Sequence, residues 1–297
     1  MTVMKRFLIS LLLACTGLGT VVGVSAQNVL EAISLDSGGR VGASLLVMET
    51  GQSLWIIPDV AAPMQSVYKL PITMAALAAV DQGKLKLEQK VLITKEDFVS
   101  AEQHSPIRDE HPDGNFKMSL KEIMRFAVSE SDGTASDVLL RLLGGPATVM
   151  QYLAGLGIRD IKVMDTEKDL GKSWVVQYRN TATPKAMITL LQALHQGKGL
   201  SAKSHALLMK WMLETETGPG RIKGLLPAGT PVAHKTGTSG SRGSITAATN
   251  DVGIVTLPNG HHMAAAVFVT DSQAPSAARE LTIAKIAKLG WDAWARK

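Results

Sequence analysis

Ser66-Val67-Tyr68-Lys69 sets a hydroxyl and an amine three residues apart. On a helix, that spacing turns both side chains to one face. The amine can then accept the hydroxyl proton, and the positive end of the helix dipole favours the charge that develops on the oxygen. Ser131-Asp132-Gly133 follows about 65 residues later, between two predicted helices. About 100 residues beyond it, His234-Lys235-Thr236-Gly237-Thr238-Ser239 lies on a predicted strand. There a lysine, small hydroxyls and backbone N–H groups can receive an anion. Taken one at a time, these strings are equally an N-cap with a solvated lysine, a capped turn and an edge strand guarded by a lysine. Taken together, they offer a nucleophilic serine, a proton acceptor and an anion site.

The elements that must position them follow from pattern. Arg40 to Thr50 and Ser53 to Ile57 read as two strands joined by a Gly51-Gln52 turn. Apolar residues at three- and four-residue spacing predict helices over Ser66–Gln82, Ser119–Val128, Ala135–Leu143, Ala147–Leu156, Pro184–Gln196 and Ala202–Leu213. Strands return at Val232–Lys235, Ala247–Leu257 and Met263–Thr270, the last two joined by Pro258-Asn259-Gly260, and a final helix spans Ser276–Trp294. Strands at both ends of a helical insert predict an α+β fold, with one antiparallel sheet built from the two termini beside an all-helical lobe. Residues 27–65 and 214–297 are assigned to the sheet lobe and 66–213 to the helical lobe, with a cleft between them.

The chain has 297 residues, 45% of them hydrophobic and 19% charged, which is enough for a full core and excludes disordered, collagen-like or disulfide-stapled classes. Its formal charge of +5 is dispersed, with no Lys/Arg run longer than two, so no nucleic-acid partner is expected. Residues 1–26 read as a secretory signal: Lys5 and Arg6, an apolar run from Phe7 to Val24, then the small residues Ser25 and Ala26. The mature chain then starts near Gln27, is periplasmic and has no membrane contact. Leu12-Leu13-Ala14-Cys15 also resembles a lipobox. Cys15 is the sole cysteine, so disulfides, a cysteine nucleophile and Cys-ligated metals are not expected in the mature chain. His261-His262 has no third ligand at useful spacing, and Gly171-Lys172-Ser173 lacks the upstream glycine of a phosphate loop. No metal and no organic cofactor is expected.

The order and spacing of the three strings resemble the penicillin-recognising serine enzymes and, over essentially the whole mature chain, the class A serine β-lactamases. The resemblance implies the serine β-lactamase/transpeptidase-like fold, a five-stranded antiparallel sheet flanked by terminal helices plus an all-helical lobe. It implies hydrolysis of the β-lactam ring of penicillins and cephalosporins through an acyl-enzyme on Ser66, and hence resistance to them. Lys69 and Ser131 would handle protons, while backbone N–H groups of Ser66 and Thr238 would form the oxyanion hole. Lys235, Thr236, Gly237, Thr238 and Ser239 would bind substrate. Thr166-Glu167-Lys168-Asp169-Leu170-Gly171, ahead of Asn180-Thr181-Ala182-Thr183-Pro184, resembles the family's Ω loop (here residues 162–182) and makes Glu167 the deacylating base. Ser105-Pro106-Ile107-Arg108-Asp109, Gln177-Tyr178-Arg179-Asn180, Thr215-Glu216-Thr217-Gly218-Pro219 and Leu226-Pro227-Ala228-Gly229-Thr230 resemble the PER-type extended-spectrum branch. Arg221 matches that branch's carboxylate-holding arginine, and His104 falls at the family's aromatic gatekeeper. The implied partner is a small-molecule β-lactam, with the chain a monomer. Whether Lys69, or Glu167 through water, takes the Ser66 proton stays open. A D-alanyl-D-alanine carboxypeptidase or transpeptidase, and a non-catalytic binding module, are the alternatives. Glu167 argues against the first and the intact Ser66, Lys69, Ser131 and Lys235 against the second.

Three departures from the family pattern bear on efficiency. Gly133 stands where the family has an Asn that contacts substrate and the catalytic lysine. Gly171 replaces an Asn that helps position the hydrolytic water. Asp165 and Asn180 cannot make the Arg–Asp clamp that pins the Ω loop in many relatives.

Overall fold

The computed structural model describes residues 19–295. The basic start of the expected export signal, most of its apolar run and the lipobox-like Cys15 lie outside the described residues. Helix α1 (Gly19–Leu35) runs through the expected cleavage position before Gln27, a stretch assigned to no element from the sequence. Leu30 on this helix joins the core, and Gln27 Nε2 donates to the Trp55 carbonyl oxygen at 2.7 Å.

The chain continues through β1 (Arg40–Val47), β2 (Ser53–Ile56), β3 (Ala62–Pro63) and α2 (Lys69–Asp81). Next come β4 (Lys90–Ile93), α3 (Pro106–Glu110), β5 (Phe116–Ser119), α4 (Leu120–Ser129), α5 (Gly133–Leu143) and α6 (Pro146–Gly155). The middle of the chain holds β6 (Ile161–Lys162), the single turn α7 (Glu167–Leu170), β7 (Thr181–Ala182), α8 (Pro184–His195) and α9 (Ala202–Leu213). It closes with β8 (Val232–Thr238), β9 (Ser241–Arg242), β10 (Ile245–Thr256), β11 (His262–Ser272) and α10 (Ser276–Trp294). Cap chemistry accounts for several helix starts. Asp132 accepts the Ala135 N–H, Ser119 and Glu122 form a capping box, and Thr183 precedes Pro184 at the first helical position.

The main sheet is antiparallel in the order β2-β1-β11-β10-β8, as the five predicted strands require, with the two-residue β9 added against β10 as a sixth. β10 and β11 run longer than predicted. On β11, Met263, Ala265, Val267 and Val269 pack with α1 and α10, while Ala264, Ala266 and Phe268 pack with the helical region. Successive strand side chains alternate faces, and here both faces are buried, so the strand reads as an unbroken apolar run.

Two small sheets position loops. β3, β7 and β6 pair in that order, tying the stretch before Ser66 to both ends of the 162–182 loop. β4 and β5 close the loop that carries Gln103 and His104. One expectation fails at the β10–β11 turn. His262 is not a lone hairpin flank, because Glu49 and His195 meet it from distant parts of the chain.

Candidate active site

Ser66 does not open an α-helix, as the spacing had predicted. It sits in a 3₁₀ turn, Gln65–Tyr68, and α2 begins at Lys69. Gln65 is held at φ +48°, in the left-handed region that costs a non-glycine residue energy, and its side chain is tied to Gln177 Oε1. The turn packs directly on β8. A Cβ on Gly237 would collide with the Met64 carbonyl oxygen, so only glycine lets the strand approach this closely. Asn250 Nδ2 also donates to the Pro63 and Met64 carbonyl oxygens, at 2.8 and 3.0 Å.

Lys69 is buried, and its Nζ donates to Ser66 Oγ at 2.9 Å and to the Ser131 carbonyl oxygen at 2.7 Å. The same nitrogen lies 3.3 Å from Glu167 Oε2. Ser131 stands at φ +60°, and the buried carboxylate of the next residue, Asp132, accepts the N–H groups of Ile107 and Ala135, both at 2.7 Å. Burial raises the Asp132 pKa, and those N–H donors oppose the rise. Lys235 Nζ donates to Ser131 Oγ at 2.9 Å and to the Thr236 carbonyl oxygen at 3.0 Å. Burial, and then the Lys69 charge, push the Lys235 ammonium well below its ordinary pKa. Ser66, Lys69, Ser131, Glu167 and Lys235 therefore form one connected polar cluster, although they come from four separate stretches of chain.

Glu167 is fixed by a variable position of the first string, Tyr68, and by two residues outside the motifs, Gln103 and Asp137. Tyr68 OH donates to Glu167 Oε2 at 2.8 Å. Burial, and then the Glu167 charge, raise the Tyr68 pKa well above its ordinary value, so this phenol remains a neutral donor. Asp137 accepts the backbone N–H groups of Glu167 and Lys168, at 2.6 and 3.0 Å, and burial pushes its carboxyl up to about 7. Gln103 Nε2 donates to the Glu167 carbonyl oxygen. A Cβ on Gly171 would come within 2.9 Å of the Gln103 amide, so the space left by that glycine is occupied by Gln103. The clamp expected to be missing has a substitute of opposite sense. Arg179 Nε lies 3.2 Å from Asp165 Oδ2, a charge contact without hydrogen-bond geometry. Asn180 fastens the same neck, accepting the N–H groups of Met164 and Asp165 and donating to the Asp165 carbonyl oxygen.

The remaining candidates divide. Thr238 is exposed at the end of β8, where its Oγ1 accepts from Arg221 Nη2 at 2.7 Å. Arg221 is buried, and its other bonds go to Glu280, the Gly237 carbonyl oxygen and the Asn250 carbonyl oxygen. It therefore has at most one N–H for a ligand and acts chiefly by orienting Thr238. Thr236 Oγ1 is paired with Thr217 Oγ1 at 2.6 Å, and the Ser239 hydroxyl is engaged with the Ala248 backbone rather than the cleft. His104 is exposed at the rim, with Nε2 2.9 Å from the Glu130 carbonyl oxygen, and its own carbonyl oxygen accepts the Gly133 N–H.

A model of the β-lactamase enzyme family matches residues 25–294 of the chain. β-Lactamase VEB-1 of Pseudomonas aeruginosa is 42% identical over 273 residues, covering 91% of this chain and 89% of that protein. The extended-spectrum β-lactamase PER-1 of the same organism is 40% identical over 262 residues, covering 88% and 85%. A crystal structure of the TLA-3 extended-spectrum β-lactamase matches with a TM-score of 0.89 at 40% identity, covering 92% of this chain and 100% of that one. A class A β-lactamase from Bacteroides cellulosilyticus has a TM-score of 0.86 at 30% identity, covering 92% and 98%. With a family match across nearly all the described residues and relatives that align over most of both chains, this chain belongs to the β-lactamase enzyme family, among its class A enzymes.

Proposed function

We propose that this protein hydrolyses β-lactams, conferring resistance to them, through an ester on Ser66 that Glu167-activated water removes. The observation that carries this reading is Lys69 Nζ, 2.9 Å from Ser66 Oγ and 3.3 Å from Glu167 Oε2. Proton transfer from Lys69 to Glu167 leaves an amine that takes the Ser66 proton as Oγ attacks the ring carbonyl. The backbone N–H groups of Ser66 and Thr238 receive the negative charge on the carbonyl oxygen. The C–N bond then breaks, and the proton that Lys69 took from Ser66 reaches the ring nitrogen through Ser131, which is bridged to Lys235. Glu167 returns its proton to Lys69 and is again a carboxylate. Lys235, with Thr238 oriented by Arg221, binds the substrate carboxylate. In the second half, Glu167 takes a proton from water as its oxygen attacks the ester, and that proton returns to Ser66 Oγ. Export to the periplasm and action as a monomer belong to the same reading. Export is supported by the basic start, the apolar run and the small residues of 1–26.

The test is a time course with a chromogenic cephalosporin sampled by intact-protein mass. Wild type should turn over many equivalents, Ser66→Ala none, and Glu167→Gln should accumulate one adduct while turnover falls about 10²–10⁴-fold. A stable adduct on wild type without turnover would overturn hydrolysis. Wild-type deacylation in Glu167→Gln would overturn the base assignment.

A further inference from the structure

Away from the Ser66 cluster, three potential metal ligands converge from three separate elements. Glu49 lies in the turn after β1, His262 begins β11, and His195 ends α8. One donor atom from each lies within 4.8 Å of the other two. The arrangement is partly built by the backbone. The His262 backbone N–H donates to Glu49 Oε2 at 2.8 Å, and His262 Nδ1 lies 2.8 Å from Glu49 Oε1, so the carboxylate is held against His262 at two points, one on the backbone and one on the ring. The His195 and His262 rings have centroids 4.4 Å apart at 44°, a tilted rather than stacked contact. The two histidines are partly buried and Glu49 is exposed, which leaves a path for an ion to enter.

The geometry points to a divalent transition-metal site formed by Glu49, His195 and His262, with zinc as its natural occupant. A tetrahedral zinc about 2.0–2.1 Å from each donor needs donors about 3.3 Å apart. The 2.8 Å pair must open slightly and the wider separations must close, within the reach of side-chain rotation. Two imidazoles and one carboxylate suit zinc, nickel or copper, whereas calcium and magnesium call for oxygen donors throughout. Three protein ligands leave a position for water. The site is distinct from the hydrolytic cluster. His262 pairs with Thr256 on β10, whereas Lys235 pairs with Val252, about 13 Å of strand away. A bound ion would join the end of α8 to the β1 turn and the start of β11, and so stabilise the fold without entering the reaction.

The test uses untagged protein stripped with chelator, titrated calorimetrically with zinc chloride at neutral pH. One zinc per chain and a thermal midpoint that rises with zinc are expected. His195→Gln and Glu49→Gln should each weaken binding at least about tenfold. His111→Ala, which removes a ring stacked on Phe116 elsewhere, should leave it unchanged. Unaltered zinc-free thermal midpoints show that the variants fold. For any variant that falls short on that count, the cobalt(II) absorption spectrum of wild type, in the presence and absence of a competing chelator, decides whether nitrogen ligands hold the ion. Absence of saturable zinc binding, a cobalt spectrum without nitrogen ligation, or equal affinity in wild type and both site variants would overturn the proposal. None of these outcomes bears on β-lactam turnover.

Discussion

A Cβ placed on Gly133 would come 2.9 Å from Cγ of Glu167 and 3.1 Å from the His104 carbonyl oxygen. The glycine therefore does more than omit an amide from the substrate site. Glu167 and the loop before α3 have closed into the space a side chain would take. The Gly133 φ is not in the left-handed region, so asparagine meets no backbone penalty there and its cost is steric.

Gly133→Asn should consequently impair the enzyme. Overpacking of this kind costs about 1–3 kcal/mol, and displacement of Glu167 should lengthen the life of the acyl-enzyme. Thermal unfolding and mass-resolved turnover with a cephalosporin check both effects. Faster turnover with an unchanged melting temperature would show that Gly133 is merely a missing hydrogen-bonding group.

Asp137→Asn separates two roles of one carboxylate. Asparagine has one acceptor oxygen, so one of the two N–H groups at Glu167 and Lys168 loses its partner, at about 1–3 kcal/mol. The acyl-enzyme should accumulate in this variant, because Glu167 is less well held. The pH dependence of stability should also change. Burial raises the wild-type carboxyl to about 7, so the fold favours its protonated form. That contribution is complete below the ordinary carboxyl pKa of about 4 and is lost as pH rises through about 7. Melting temperatures at pH 5 and 8 should differ less in Asp137→Asn than in wild type.

Lys235 predicts a substrate-specific pH profile. Its depressed pKa means that the cation is lost at a lower pH than a free lysine would lose it. KM for a cephalosporin carrying its carboxylate should therefore rise on the alkaline side. The methyl ester of the same cephalosporin should show no such rise, and parallel profiles for the two would remove Lys235 from carboxylate binding.

Arg221→Lys keeps the charge but loses the planar fork that spans Glu280, two backbone carbonyl oxygens and Thr238 Oγ1. Freed from that bond, the Thr238 hydroxyl should turn away and KM should rise about tenfold, equivalent to about 1.4 kcal/mol. Steady-state kinetics check this. An unchanged KM would confine Arg221 to packing.

Much of this molecule is written locally. Ser66 and Lys69 are three residues apart, the Asp132 cap lies beside Ser131, and Pro184 and Ser276 start helices where helical periodicity begins. Short-range rules of that kind made the α+β order, α10 from end to end and the motif residues readable before any coordinates. What holds Glu167 was not readable. Tyr68, Gln103 and Asp137 reach it across 99, 64 and 30 residues, and none carries a spacing signal of its own. The Arg179–Asp165 contact escaped because the charges sit on opposite sides of the loop from those expected. α1 was obscured by the apolar export-like run that leads into it. Glu49, His195 and His262 meet only where a turn, a helix end and a strand start are packed together. The sequence by itself determined most of the long helices and strands and the candidate motif residues, because caps, periodicity and neighbouring side chains act over a few residues. Which distant groups touch, and so how Glu167 is held and how Glu49, His195 and His262 meet, was decided by tertiary packing, because those contacts exist only after the sheet and helices have closed on one another.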